Sequence, residues 1–471
     1  MKEYYTTIGL EIHAELKTAS KMFCGCKNDP DNESPNTTVC PVCMAHPGTL
    51  PVINRHAVES VIKVGMAIDG TIADFTEFDR KNYFYPDIPK AYQISQYKYP
   101  IVSGGELNGV KITRIHLEED TATSTHDKGD YSLVNFNRAG VPLMELVTEP
   151  VIHRPEDVGT FAQELQLILR ALNVSDANMD KGQMRVEVNI SVSEDPKKFG
   201  IPVEVKNINS FRSAERAAIF EQERMIQLLE AGRGSELVRE TRGWDENKQA
   251  TFSQRSKETA HEYRYFPDPD LPKLILSEAF DLLKLSKELP ELPAQKRIRY
   301  SEMFGIKDED IESYVTDFDL AAYFEDVVTE LGGDKEKIKI ASNYITSDLV
   351  GIKKKDSSFE FPHAHQLAEL INMLSSGEVS SRVAKDLLVI LHAEDRSPKL
   401  IAEERGLIQK EDPEELKNIA QKIIDINPKI VMDYKGGKIQ ALMSLVGMIM
   451  KETKGAANPA LAKKILEELL A

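Results

Sequence analysis

The sequence has no long hydrophobic run, no signal-peptide pattern at its beginning and no excess of basic residues. The longest apolar stretch, IQALMSLVGMIM at residues 439–450, is too short to span a bilayer. A leader would show a charged segment, an apolar segment and small residues in that order. We therefore expect a cytoplasmic protein with no membrane partner.

The formal net charge of −17 argues against a surface that binds nucleic acid everywhere, because phosphate contacts require Lys and Arg. The net charge does not exclude a local basic surface, since the distribution of charge matters more than its total. Residues 430–464 carry six lysines against two acidic residues. The alternative for this C-terminal stretch is an ordinary solvated helical face.

Cysteine is scarce, and its four residues form a C-x-C pair and a C-x-x-C pair thirteen residues apart. Two disulfides are not expected in a long cytosolic chain. Paired cysteine knuckles suit tetrahedral zinc, each supplying two thiolates. We predict a structural zinc site formed by Cys24, Cys26, Cys40 and Cys43. The alternatives are a redox pair or inert thiols.

A chain of 471 residues is too long to fold around a single hydrophobic core, so we expect two to four domains. Up to about residue 290, alternating strands such as 185–192 mix with helices predicted over 155–172 and 211–229, which indicates an α+β domain with an antiparallel or mixed sheet. ELPELPAQKR at 288–297 contains two prolines and predicts a boundary. Helical periodicity follows. We predict domains at 1–292, 293–408 and 409–471.

Acidic residues recur on apolar strands. In GLEIHAEL, alternation places Glu11, His13 and Glu15 on one face, which suits either a solvated face or a hard cation such as Mg²⁺. Glu145 lies in a second apolar strand, where a buried carboxylate needs a cation or a proton. A carboxylate-rich Mg²⁺ site is typical of phosphoryl transfer, yet no G-x-x-x-x-G-K-[ST] loop occurs.

A third acidic stretch, RIHLEED, contains two adjacent glutamates, Glu118 and Glu119. Strict alternation places them on opposite faces, so both reach one site only if the strand ends or bulges there. The segment 78–96, FDRKNYFYPDIPKAYQISQ, is dense in aromatic and basic residues, which can stack bases and bind phosphates. Ordinary aromatic packing is the alternative.

Taken in order, these stretches resemble the GatB family of the aspartyl/glutamyl-tRNA amidotransferases, whose members form the subunit (B) of that complex. The resemblance covers essentially the whole chain, and its specificity comes from many motifs in sequence rather than from any one. The matching stretches are GLEIHAEL, KMFCGC, VCPVC, PGTLPVIN, FDRKNYFYPDIPKAYQISQ, HLEED, NRAGVPLMELVTEP, VEVKNINSF, YRYFPDPDLP, PELP and KGGKIQALMSLVGMIMKETKGAANP.

The resemblance implies an ATP-dependent ligase acting on misacylated tRNA. Such an enzyme phosphorylates the side-chain carboxylate of Glu-tRNA(Gln) or Asp-tRNA(Asn), and ammonia then displaces phosphate to form the amide. An amidase subunit (A) supplies the ammonia through a tunnel, and a small subunit (C) joins the two. The implied fold is a cradle-like α+β domain with the kinase site and zinc, then a helical domain, then a small helical tail that binds tRNA.

The resemblance also assigns residues. Lys81 matches a position near the tunnel mouth, where it could also orient the acyl phosphate. Arg185, Asn189 and Lys206 are candidate nucleotide contacts, with structural roles as the alternative. The implied Mg²⁺ and phosphoryl-transfer site comprises Glu11, His13, Glu118, Glu119 and Glu145, and the candidate tRNA contacts are Lys435, Lys438, Lys451 and Lys454.

The sequence departs from the family pattern at two places that each remove a cation. Thr121-Ala122-Thr123 stands where Ala-Gly-Lys is common, and Ser193-Glu194 where many members carry Arg-Pro. The five expected metal-site residues are unaffected. A tRNA-binding scaffold without ATP chemistry and a phosphotransferase acting on another carboxylate are the competing functions. Whether glutamate, aspartate or both are the physiological substrates depends on the cell's synthetases.

Overall fold

The computed structural model describes residues 2–31, 34–126, 129–256, 263–408, 413–453, 457 and 459–470. The chain forms two compact units, Met1–Pro293 and Ala294–Ala471. None of the helices in the described part combines the length and apolar character that crossing a bilayer requires. The division falls inside the proline-containing stretch at 288–297, and the three predicted domains, with a further boundary at 408/409, stay a prediction.

The strands of the first unit are β1 Tyr5–Glu15, β2 Thr71–Ile72, β3 Phe75–Thr76, β4 Asp79–Asn82, β5 Tyr92–Ser95, β6 Val102–Ser103, β7 Glu106–Leu107, β8 Val110–Glu119, β9 Thr123–Thr125, β10 Leu133–Asn135, β11 Pro142–Thr148, β12 Met184–Ser193, β13 Val203–Lys206, β14 Glu240–Asp245, β15 Ala250–Ser256, β16 Phe266–Pro267 and β17 Leu274–Ile275. Ten of them form one sheet in the order β15-β14-β13-β12-β1-β11-β8-β6-β2, with β7 paired to β8. Its pairs are antiparallel except β13–β14, which is parallel. A three-stranded sheet, β16-β4-β5, and two smaller pairs complete the unit.

One face of the large sheet is apolar and packs into the core. Ile8, Leu10, Ile12 and Ala14 of β1 are buried there, as the two-residue period of a strand requires. Three helices contribute to the same core: α1 Arg55–Ala67, α2 Glu156–Ala171 and α3 Phe211–Glu230. The opposite face of the central strands is therefore free for polar side chains.

Local capping explains where two of these helices begin. The side chain of Asn54 accepts hydrogen bonds from the backbone N–H groups of residues 56 and 57 at the start of α1. Ser210 caps α3 in the same way, through the N–H of Ser213. Two short helices follow, α4 Leu276–Ala279 and α5 Leu282–Lys287, and α6 Pro293–Arg299 begins at the unit boundary.

The second unit is helical. A buried aromatic group, in which Phe324 stacks on Tyr314 with ring centroids 4.3 Å apart, packs its first part. Leu416, Leu445 and Leu466 belong to a separate apolar cluster in its last part. The helices are α7 Asp308–Thr316, α8 Phe318–Glu330, α9 Lys335–Asn343, α10 Val350–Lys355, α11 Ala364–Ser376, α12 Ser381–Ala393, α13 Pro398–Glu404, α14 Pro413–Ile426, α15 Pro428–Lys435, α16 Gln440–Glu452 and α17 Pro459–Leu470.

The α+β class predicted from the sequence is confirmed. The strands expected at 9–16 and 185–192 are β1 and β12, and the helices expected over 155–172 and 211–229 are α2 and α3. These elements have strong two-residue or helical periodicity, which is the pattern that sequence reveals best.

Candidate active site and cysteine cluster

A row of ionisable side chains crosses four central strands of the large sheet. In register, Arg185 of β12 is opposite His13 of β1, His13 is opposite Glu145 of β11, and Glu145 is opposite His116 of β8. Directly opposed residues of antiparallel strands project from the same face. The row therefore lies on the face opposite the apolar core.

Glu145 is the centre of this arrangement. Its Oε2 lies 3.3 Å from Nε2 of His13 and 3.3 Å from Nε2 of His116. His13 Nε2 is also 3.7 Å from Oε1 of Glu118 and 3.8 Å from Oε1 of Glu11. These five residues, from three strands, are called the carboxylate–imidazole cluster below.

His116 is a member that the sequence pattern did not single out. It is buried, and it lies two residues before Glu118 on β8, so alternation alone places both on one face. Its Nδ1 is buried without a hydrogen-bond partner in the described part of the chain. The signal was present in RIHLEED, but the pairing of β8 with β11 was needed to bring His116 to Glu145.

The ionisable groups of the cluster strongly shift one another's pKa values. Burial alone would lower the pKa of His116, but Glu145 and Glu118 raise it to about 9. Burial raises the pKa of Glu145, yet the two imidazoles bring it well below its ordinary value. Burial and the charge of Glu145 raise the pKa of Glu11 to about 7, so its carboxylate lacks sufficient positive charge nearby.

Lys81 of β4 supplies one positive charge that faces the cluster. Burial by itself would lower its pKa, but Glu118, Tyr265 and Glu145 raise it above the ordinary value. Its Nζ also lies 5.2 Å from the centre of the Tyr263 ring. The charges of Glu118 and Glu145 thus act on the Lys81 ammonium, while its role near the tunnel mouth or at the acyl phosphate stays a prediction.

Glu119 lies apart from the cluster. Its Oε2 is 2.7 Å from Nζ of Lys90, and its Oε1 accepts a hydrogen bond of 3.0 Å from the backbone N–H of Ile94. Glu118 instead accepts a 3.1 Å hydrogen bond from Ser95 Oγ. The two glutamates project from opposite faces at the end of β8, as strand alternation requires, so the structure does not unite all five expected metal-site residues.

The three candidate nucleotide contacts lie on the same face as the cluster. Arg185 and Asn189 are on β12, and Lys206 is on the neighbouring β13. Lys206 Nζ lies 2.8 Å from Glu187 Oε2 and 3.6 Å from Glu204 Oε1. Two cations and an amide thus lie on the face that carries the cluster, and whether they contact a nucleotide stays a prediction.

The donor set of the cluster fits a divalent cation. Ligand atoms of Glu11, His13 and Glu145 lie within 4.8 Å of one another, as do those of His116, Glu118 and Glu145. Carboxylate oxygens suit Mg²⁺ or Mn²⁺, and imidazole nitrogen extends the range to other first-row ions. Glu145 is common to both groups and is the expected centre of coordination.

The four cysteines form a second candidate metal site, as the sequence predicts. All are free thiols, and their four sulfurs lie within 4.8 Å of one another. Sγ of Cys43 is 3.8 Å from Sγ of Cys40 and accepts a 3.1 Å hydrogen bond from the backbone N–H of Cys40. Four clustered thiolates suit tetrahedral zinc.

Most of the chain matches two models of one known protein family. Residues 6–281 match the family model described as the GatB/GatE catalytic domain, and residues 322–470 match the model described as the GatB domain. The chain belongs to the GatB family. The matched range 6–281 spans every residue of the carboxylate–imidazole cluster and all four cysteines.

Curated relatives extend the match over the full length. A protein of Crocosphaera subtropica is 42% identical over 99% of this chain and 98% of its own length. Proteins of Caldicellulosiruptor saccharolyticus and Thermomicrobium roseum are 43% identical, each over 99% of both chains. All three are named as the subunit (B) of aspartyl/glutamyl-tRNA(Asn/Gln) amidotransferase. The GatB resemblance is thereby confirmed.

The candidate tRNA contacts lie in the part that matches the GatB domain. Lys435 at the end of α15 and Lys451 in α16 are exposed, and Lys438 is exposed with its Nζ 2.9 Å from Oδ1 of Asp433. Lys454 lies outside the described residues. Contact between these lysines and tRNA stays a prediction.

Proposed function

We propose that this chain acts as the GatB subunit of an aspartyl/glutamyl-tRNA(Asn/Gln) amidotransferase and carries its kinase and transamidation site. The full-length similarity to relatives of that name supports the overall activity. The carboxylate–imidazole cluster facing Lys81 is the observation that carries the chemical assignment. The substrates would be Glu-tRNA(Gln), Asp-tRNA(Asn) or both, and the setting the cytoplasm.

Two steps account for the reaction. An oxygen of the substrate side-chain carboxylate attacks the γ-phosphorus of ATP, the bond to the β–γ bridging oxygen breaks, and ADP leaves. Ammonia then attacks the acyl carbon, the carbon–oxygen bond to phosphate breaks, and the amide forms with loss of a proton and inorganic phosphate. Both steps concentrate negative charge, so their site must supply cations.

The cluster and Lys81 have different parts in this scheme. Glu145, with Glu11, Glu118 and the two histidines, would hold Mg²⁺, which supplies positive charge to the phosphate oxygens when bound. Lys81 places a further cation against Glu118 and Glu145, which suits contact with the phosphoryl group. In the alternative role, Lys81 at this same position would line the mouth of an ammonia tunnel.

Other components complete the proposal. The four cysteines would hold a structural zinc ion, leaving none of them as a glutaminase nucleophile, and the sequence offers no other good candidate. Ammonia would therefore come from a partner amidase subunit (A), with a small subunit (C) joining the complex. The exposed lysines of α15 and α16 would contact the tRNA phosphates.

Release of ADP by the assembled three-subunit complex tests the proposal. With ATP and Mg²⁺, we expect turnover with Glu-tRNA(Gln) and none with correctly charged Gln-tRNA(Gln). Glu145→Gln should lower the rate at least about 100-fold, since it removes the carboxylate charge shared by both imidazoles.

The matched control is Glu149→Gln, just beyond β11, whose carboxylate accepts a 2.7 Å hydrogen bond from Thr113 and lies outside the cluster. It should retain most of the activity. An intact complex that binds misacylated tRNA but releases no ADP would leave only the scaffold function.

A further inference from the structure

Lys21 is a fully buried lysine that the proposed reaction does not use. Its side chain is 1% exposed, and it lies between the first strand and the cysteine pair 24/26. Burying an ammonium group is costly unless its hydrogen bonds and its charge are both compensated. The contacts of the Lys21 ammonium therefore indicate which groups satisfy its hydrogen bonds and whether its charge is compensated.

The ammonium has three donors, and three acceptors surround it. Its Nζ donates to the carbonyl oxygens of Ala139 at 2.8 Å and Phe136 at 3.3 Å. The third contact, at 4.0 Å, is Sγ of Cys43. Among the described residues no carboxylate forms an ion pair with Lys21, so the carbonyls satisfy its hydrogen bonds without balancing its charge.

A zinc ion with four thiolates carries a net charge of −2, which is the compensating charge that this site lacks. Sulfur accepts a hydrogen bond from Lys21 most strongly when it is a thiolate. We propose that Lys21 is the buried counter-cation of a zinc–tetrathiolate centre and a positioning residue that couples the metal to the loop 136–140. The inference rests on the zinc site of the proposed function.

The loop contacted by Lys21 precedes β11 in the chain and is hydrogen-bonded to Asp120, the residue that follows β8. Gly140 accepts a 2.7 Å hydrogen bond from the backbone N–H of Met22, and its own N–H donates to Asp120 O at 2.9 Å. Gly140 has φ +87°, and a Cβ built on it would lie 3.6 Å from Cys43 Cβ and 3.9 Å from Glu119 Oε2. Gly140 therefore lies between Cys43 of the cysteine cluster and Glu119 at the end of β8.

Zinc retention tests the counter-cation. Wild-type protein is first shown to contain one zinc, and transfer of the metal to excess chromogenic chelator is then timed. Lys21→Met should release zinc about 10- to 100-fold faster, the range typical for loss of a partner of a metal ligand. Lys21→Arg keeps the charge and should recover much of the retention.

The matched control is Lys17→Met, four residues away, whose ammonium is half exposed and pairs with Asp176 at 3.1 Å. It should release zinc at the wild-type rate. In cobalt-loaded protein, Lys21→Met should also shift the sulfur-to-metal charge-transfer band to lower energy, because the thiolate loses a hydrogen bond. Unchanged release and an unchanged spectrum in folded Lys21→Met would overturn the proposal.

Hydrogen exchange in the wild type gives a test that needs no variant. Removing zinc should leave Lys21 without its counter-charge and accelerate amide exchange in residues 136–140, while β1 and β12 stay protected. Equal exchange with and without zinc in that loop would overturn the coupling. A wild-type protein with no zinc would instead refute the metal site itself, and this is recognised before any variant is compared.

Discussion

Replacing Asp120 with Asn should destabilise the first unit by about 2–3 kcal/mol. The Asp120 carboxylate is buried, its Oδ2 lies 2.7 Å from Arg138 Nε, and Arg185 Nη2 approaches it at 3.1 Å. Burial would raise the pKa of Asp120, but Arg185 and Arg138 lower it from 3.8 to about 2. Nearly two pKa units, at about 1.4 kcal/mol each, give that magnitude.

The pH dependence of this effect has a definite sign. The folded pKa of Asp120 lies below the unfolded value, so its contribution is complete above about pH 4 and is lost as the pH falls through about 2. Roughly half should remain at pH 3. The difference between wild type and Asp120→Asn should therefore be constant from pH 5 to 7 and shrink on acidification.

Trp244 provides the assay, because it is the single tryptophan of the chain and is buried in β14 of the same sheet. Its fluorescence during urea titration reports unfolding of the unit that contains Asp120. Asp176→Asn is the control, since this exposed carboxylate pairs with the half-exposed Lys17 and should cost less than about 0.5 kcal/mol. A loss below about 0.5 kcal/mol in Asp120→Asn, or one independent of pH, would refute the ion-pair argument.

Four further substitutions test the packing of the two units and the lysines of α15 and α16. Gly65→Ala would place a Cβ 2.5 Å from Val102 Cγ2, so it should destabilise the first unit by about 1–3 kcal/mol in the same fluorescence assay; an unchanged midpoint would contradict the close approach. Phe324→Ala removes a fully buried ring and should cost the second unit about 3–5 kcal/mol, measured by the loss of helical circular dichroism on heating. An unshifted transition there would contradict its place in the core. Lys435→Ser and Lys451→Ser should each reduce the salt dependence of tRNA binding by about one unit of slope, measured by fluorescence anisotropy at several salt concentrations. Unchanged slopes would remove these lysines from the tRNA contact.

The sequence predicts individual strands and helices better than it predicts which strands pair with one another. Alternation identifies β1 and β12, and periodicity identifies α2 and α3, because each pattern is local. His116 could not be assigned in this way, since its proximity to Glu145 depends on the pairing of β8 with β11. The local sequence pattern records which face His116 shares with Glu118, but it does not record which strand lies alongside.

The adjacent glutamates show how far the two kinds of sequence argument reach. Strand alternation separates Glu118 from Glu119, and the structure agrees: the first accepts a hydrogen bond from Ser95, the second pairs with Lys90. The family resemblance places both at one site, which the described geometry does not do. If Glu119 takes part in the reaction, it does so from the face of β8 that lies near Gly140 and the cysteine cluster.

A single strand register builds both the core and the candidate site. On the apolar face, Ile12 is opposite Val186 on one side and Leu146 on the other, and Leu146 is opposite Ile115. These side chains are at most 1% exposed. A one-residue slip of β1 would turn Ile12 to the polar face and bury its charged neighbours, which the hydrophobic effect strongly opposes. The same free energy that fixes the core therefore also holds the two imidazoles against one carboxylate, with no separate device needed to align them.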